Sequence, residues 1–163
     1  VVRTDGTPVG GHPGTLGYTV GQRRGLGVAA GEPLYVVGIR AGERRLVLGR
    51  SEELLSRVVP LRDVNLQVPP AGNSYPVLAR IRSRHPDVPA RLELLDGEIR
   101  RGGRARLIFE EPVRAAAPGQ SAVFYAPDRP ELLLGGGRID RPGGGADPSA
   151  GRGVWGCKEG GTV

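Results

Sequence analysis

Residues 18–27, Tyr-Thr-Val-Gly-Gln-Arg-Arg-Gly-Leu-Gly, set one amide and two guanidinium groups between glycines. Glycine lets a backbone approach a ligand closely, and Gln22, Arg23 and Arg24 carry groups that bind phosphate or a base edge. The same segment can be a purely structural turn, although a turn needs neither arginine. A second stretch, residues 77–84, reads Val-Leu-Ala-Arg-Ile-Arg-Ser-Arg. Alternate side chains of a strand share a face, about 6.7 Å apart. That period puts Arg80, Arg82 and Arg84 in a row, with Val77, Ala79, Ile81 and Ser83 opposite. A row of guanidiniums at this spacing suits a phosphate backbone. The competing reading is the polar outer face of an ordinary barrel strand.

Constellations for covalent chemistry are scarce. The only lysine is Lys158, in the tail and between Cys157 and Glu159, so no Gly-Lys-Ser/Thr phosphate loop exists. Residues 25–31 hold glycines at a spacing one residue too long for a dinucleotide fingerprint. His12 and His85 have no Cys or His at ligand spacing, which argues against a zinc site. Glu52-Glu53 and Glu110-Glu111 are sequence neighbours whose carboxylates diverge on a strand, so both pairs read as solvated surface. Cys157 lies beside Lys158 with nothing nearby to hold it in place.

The elements that must carry these residues are short. The chain has 28 glycines and 15 prolines, which demand many turns and few long helices. One cysteine excludes an intrachain disulfide and fits a reducing cytoplasm. No apolar run is long enough to span a bilayer, and neither a signal peptide nor an initiator methionine opens the chain; it reads as a piece of something longer. The net charge is +6, and 22 of the 23 basic residues are arginine. Arginine binds phosphate in a two-pronged fashion and stacks on bases, so a nucleic-acid partner is a reasonable expectation; compositional bias is the alternative.

Residues 33–40 and 44–50 flank Ala41-Gly42-Glu43 as a hairpin, and residues 51–55 supply one helical turn. Further strands are expected over 61–68, 75–84, 90–95, 104–110, 121–126 and 132–139. Short strands between turn signals predict a small antiparallel barrel. The expected organisation is a central β subdomain over 1–60, a β-barrel over 61–139 and a disordered tail over 140–163, where 24 residues include eight glycines and two prolines.

Several blocks together resemble the central and C-terminal regions of bacterial tRNA-specific 2-thiouridylases. They are His12-Pro13-Gly14, the Tyr18 to Gly27 block, Glu32-Pro33-Leu34-Tyr35, Ala79-Arg80-Ile81-Arg82, Phe109-Glu110-Glu111-Pro112, Pro118-Gly119-Gln120-Ser121 and Leu134-Gly135-Gly136-Gly137-Arg138. Order and spacing hold from about Thr4 to Ile139. The resemblance implies a mostly β architecture, with a barrel like the second-domain barrels of translation factors. It also implies that the parent enzyme adenylates a wobble uridine of tRNA with ATP, then replaces its 2-oxygen with persulfide sulfur. The ATP loop and two catalytic cysteines would precede the matched region, and Cys157 takes no such role. This chain is therefore expected to hold no cofactor itself and to be inactive alone. Contacts to tRNA are implied at Arg82, Ser83 and Gln120. The family commonly has tyrosine at the position of Ser83, so an aromatic stacking surface worth on the order of 1–3 kcal/mol per base is absent here.

The expected partners are tRNA and, for the parent enzyme, sulfur-relay or cysteine desulfurase proteins; neither membrane nor DNA is expected. A different class of function is a stand-alone barrel that docks on protein, its arginines a solvated rim. A complete small enzyme is disfavoured, because no nucleophile, metal set or nucleotide loop assembles in the sequence.

Overall fold

The computed structural model describes residues 1–69, 72–83, 86–97, 101–114 and 116–141. The chain forms two compact units that divide between Leu55 and Ser56. The sequence places this boundary near Pro60, but Pro60 lies inside a strand. Proline lacks an N–H, yet its carbonyl still accepts a bond, here from the Asp140 amide at 2.8 Å. The expected tail from residue 142 onward lies outside the described residues.

In the first unit, β1 (Val2–Arg3), β2 (Tyr35–Arg40) and β3 (Arg45–Gly49) form a sheet in the order β1-β3-β2. β2 and β3 are the expected hairpin, closed by a 3-10 turn at Ala41–Glu43 and a left-handed Arg44. β3 is apolar on both faces, and Leu46, Val47 and Leu48 are buried with Val36, Val37 and Leu54. The long segment before β2 is held onto this sheet: the Gly21 amide donates to the Val36 carbonyl, and the Val36 amide donates to the Gln22 carbonyl. Val20 and Leu26 join the buried set. The helical turn expected at 51–55 is a 3-10 turn at Ser51–Leu54.

The second unit is a closed antiparallel barrel in the order β4-β7-β6-β5-β8-β9. Its strands are β4 (Leu55–Leu66), β5 (Ser74–Arg80), β6 (Val88–Leu94), β7 (Arg101–Arg114), β8 (Ser121–Tyr125) and β9 (Leu133–Ile139). The alternation in the sequence maps onto the wall. Val77 and Ala79 of β5, Ala90, Leu92 and Leu94 of β6, Ala105, Leu107 and Phe109 of β7, and Ala122 and Phe124 of β8 all fill the core. Closure removes the exposed edges that an open six-stranded sheet would otherwise leave. Among the described residues no helix is long and apolar enough to cross a membrane.

Candidate nucleic-acid interface

The first candidate site is the loop over residues 18–27. Residues 19–22 make a tight turn: the Gln22 amide donates to the Thr19 carbonyl at 3.0 Å, and Gly21 takes φ +89°. Only glycine enters that region without strain, which explains its place third in the turn. The Gln22 side chain turns inward on its own loop. Its Oε1 accepts from the Thr19 amide at 3.1 Å, and its Nε2 donates to the Arg24 carbonyl at 2.9 Å. Gln22 is therefore a brace, with both ends of its amide engaged. Arg23 and Arg24 are exposed and pair with no acid among the described residues. Beside them runs an open groove of about 480 Å³, floored by Leu26, Val28, Pro33 and Leu34 and bordered by Arg23 and Glu32.

His12 braces the same unit. Its Nε2–H donates to the Arg44 carbonyl at 2.9 Å, while Nδ1 accepts from the Gly14 amide at 3.1 Å. Only the neutral ring protonated on Nε2 satisfies both bonds. The imidazole also meets the Tyr18 ring edge-on, 6.1 Å between centroids.

The second candidate site lies on the barrel, and here the structure changes the sequence picture. β5 ends at Arg80, so the expected row of three arginines along one strand is not formed. Arg82 and Ser83 occupy a bend and turn beyond the strand, and Arg84 lies outside the described residues. Ser83, expected on the inner face, is exposed; Val77, Ala79 and Ile81 are buried as expected. Arg80 is tied to Asp87 by two parallel bonds, Nε to Oδ1 at 2.8 Å and Nη2 to Oδ2 at 2.9 Å. Its guanidinium carbon stands 5.6 Å from the Tyr125 ring centroid. The carboxylate holds the Arg80 guanidinium even more firmly protonated than usual, first through the hydrogen bond and then through its charge.

Residues 80–106 hold eight arginines against four acids, and part of that excess is neutralised. Arg104 pairs with Asp96 at 2.8 Å, and Arg106 pairs with Glu93 at 2.6 Å, directly opposite it in the β6–β7 ladder. Arg104 and its backbone amide hold the Asp96 carboxyl below its ordinary range. Arg82 and Arg91 pair with no acid among the described residues.

The barrel brings together residues distant in sequence. β5 and β8 run antiparallel with Arg80 opposite Val123, so the end of β5 lies beside the start of β8. Arg82 and Ser83 follow that end, and Gln120 immediately precedes that start. Gln120 closes a turn with Pro118 second and Gly119 third, the latter at φ +88°. The Ile139 amide donates to the Gln120 carbonyl, and the Gly119 amide donates to the Ile139 carbonyl, both at 2.8 Å. The Gln120 Oε1 is buried and has no hydrogen-bond partner among the described residues.

Sequence reasoning missed three residues here. Arg138 sits opposite Ser121 on β9, is exposed, and reaches the Gly119 carbonyl at 3.5 Å. Its signal was the cation at the penultimate position of the glycine-rich strand. Asp87 and Tyr125 carried no local signal, because their roles depend on strand pairing. Among the described residues no group of three or more His, Cys, Asp or Glu is placed to hold a metal ion.

Comparison with known proteins gives two adjoining matches. Residues 1–50 match the family model described as a tRNA methyl transferase PRC-barrel domain, and residues 57–139 match the aminomethyltransferase beta-barrel domain. Relatives named tRNA-specific 2-thiouridylase MnmA include those of Caulobacter sp. (strain K31), 43% identical over 146 residues, and Geobacter metallireducens, 43% over 140 residues. They cover 85% and 86% of this chain but only 35% and 36% of their own lengths. The relative from Maricaulis maris is 39% identical over 152 residues, covering 93% of this chain and 36% of its own length. This chain thus spans about a third of the curated relatives it matches. With the barrel model covering 57–139 and the PRC-barrel model covering 1–50, the chain belongs to the tRNA-specific 2-thiouridylase family.

Proposed function

We propose that this chain is the tRNA-gripping portion of a tRNA 2-thiouridylase. The observation that carries the reading is the barrel end where Arg82 and Ser83, just beyond β5, come beside Gln120, just before β8, and Arg138 of β9. Guanidiniums free of acids can neutralise phosphates, and a glutamine amide both donates and accepts, as a base edge or ribose hydroxyl requires. Arg23 and Arg24 offer the first unit a second cationic contact. Gln22 shapes their loop and does not reach outward.

In this reading the parent enzyme works in the cytoplasm. It uses ATP to activate the wobble uridine and takes sulfur from relay or desulfurase proteins. In this reading the ATP site belongs to a part of the parent enzyme outside this chain. This chain contributes orientation, holding the RNA so that a reacting base is presented in one geometry.

The test is tRNA binding by the chain as a function of salt. An Arg82→Ala, Arg138→Ala double substitution is expected to weaken binding and flatten the slope of log K against log salt by about two phosphates' worth. An unchanged slope counts against the reading. The rival reading, a protein-docking barrel, predicts partners that survive nuclease treatment in a pull-down.

A further inference from the structure

Arg80 is the last residue of β5, and Asp87 is the residue just before β6. The last registered pair of that hairpin is Ala79 with Val88, so the Arg80–Asp87 bonds close its mouth. Asp87 is only 24% exposed and Arg80 38%, which shields the pair partly from water. The guanidinium also lies against Tyr125 of β8, 5.6 Å from its centroid, so one side chain joins three strands. The Arg80 end of β5 is the one from which Arg82 and Ser83 depart.

We propose that Asp87 is a positioning residue of the RNA interface: it fixes Arg80 against Tyr125, so that Arg80 acts as a strut and Arg82 and Ser83 are presented to RNA in one geometry. This rests on the tRNA-gripping reading above. It also reassigns Arg80, which the sequence spacing alone would count as a phosphate contact. The two parallel bonds to the Asp87 carboxylate offset the guanidinium's charge and fix its plane against Tyr125, which leaves it poorly placed to serve as a free phosphate contact.

The two roles predict opposite signs. If Asp87 were only a surface acid, Asp87→Asn would remove a negative charge, free a cation and strengthen tRNA binding, steepening the salt slope by about one phosphate. The positioning role predicts binding weaker by roughly tenfold, as when a supporting group is lost behind a ligand-holding one, with no steepening. Arg80→Lys separates the roles further: lysine keeps the charge but cannot make the two-pronged pair. A phosphate-contacting Arg80 would tolerate it, whereas a strut would not.

The experiment measures tRNA affinity against salt for the chain and for Asp87→Asn, Asp87→Glu, Arg80→Lys and Arg82→Ala, with thermal unfolding as the folding control. The expected result is a loss for Asp87→Asn and Arg80→Lys, recovery in Asp87→Glu, and an unfolding transition retained in each. Tighter or unchanged binding by Asp87→Asn overturns the proposal. If that variant does not fold, Arg80→Lys and Asp87→Glu decide: wild-type affinity in Arg80→Lys overturns it, and loss in Arg80→Lys with recovery in Asp87→Glu supports it. Arg82→Ala tells the two failures apart. If it binds like the parent chain at every salt concentration, the tRNA-gripping reading itself fails; if it weakens binding while Asp87→Asn does not, only the strut fails.

Discussion

At the scale of single residues, the charge of this molecule is set less by how many arginines it has than by which acids they meet. Arg80, Arg104 and Arg106 each face a carboxylate, while Arg23, Arg24 and Arg82 face none among the described residues. Glu32 shows the same logic in the first unit, bridging Arg3 at 2.7 Å and Arg50 at 3.0 Å. The Arg3 hydrogen bond, with the charges of Arg50 and Arg3, holds its carboxyl below the ordinary value of 4.5. A carboxylate depressed in the folded state stabilises fully above its unfolded pKa, and that contribution disappears as pH falls through the folded value. Urea midpoints measured from pH 6 down to pH 3 should therefore fall less steeply below pH 4.5 in Glu32→Gln than in the parent chain. Equal acid slopes would show that the bridge contributes nothing to folding. The sequence displayed every one of these charges but not their pairings, because Arg3 and Glu32 meet only when β1 lies beside β3 and the loop before β2 folds back.

At the scale of elements, closure of the barrel depends on β9. A Cβ built at Gly135 would lie 2.3 Å from the Asn65 carbonyl oxygen, and one at Gly136 would lie 2.8 Å from the Ala122 carbonyl oxygen. Both obstacles are backbone and cannot swing away. β4 meets β9 across a bulge near Asp63, whose φ of +53° is rare for a side-chain-bearing residue. The three glycines thus let β4 and β8 approach β9 from both sides. Gly135→Ala should lower stability by about 2–3 kcal/mol, read as a shift of the denaturant midpoint. A change within about 0.5 kcal/mol, the usual range for a tolerated surface substitution, would mean the strand has room to spare. The Leu-Gly-Gly-Gly run announced a strand with an irregular start, and β9 begins at Leu133. Alternation also located the cores of β5 to β8. The bounds of β4 and β7 ran beyond it, because long strands in a closed wall are held by their neighbours as much as by their own pattern.

At the scale of the whole molecule, a net charge of +6 made a polyanion the natural partner to expect, and the structure narrows the surface that could meet one. Arg82 and Arg138 stand at one end of the barrel, and Arg23 and Arg24 on the first unit's loop. The salt dependence of tRNA binding should therefore correspond to between about two and four phosphate contacts. A slope near zero would mean that none of these four guanidiniums meets a phosphate. Composition and period-two patterning by themselves determined that this is a β protein with a barrel, since burial of one face per strand is written in the order of apolar and polar residues. The ordered motifs likewise identified the family. Tertiary structure alone decided which arginines are free, that Gln22 braces its own loop, and that Gln120 comes beside Arg82 and Ser83. Each of those facts depends on contacts between residues far apart in the chain, and such distances exist only after the strands have paired.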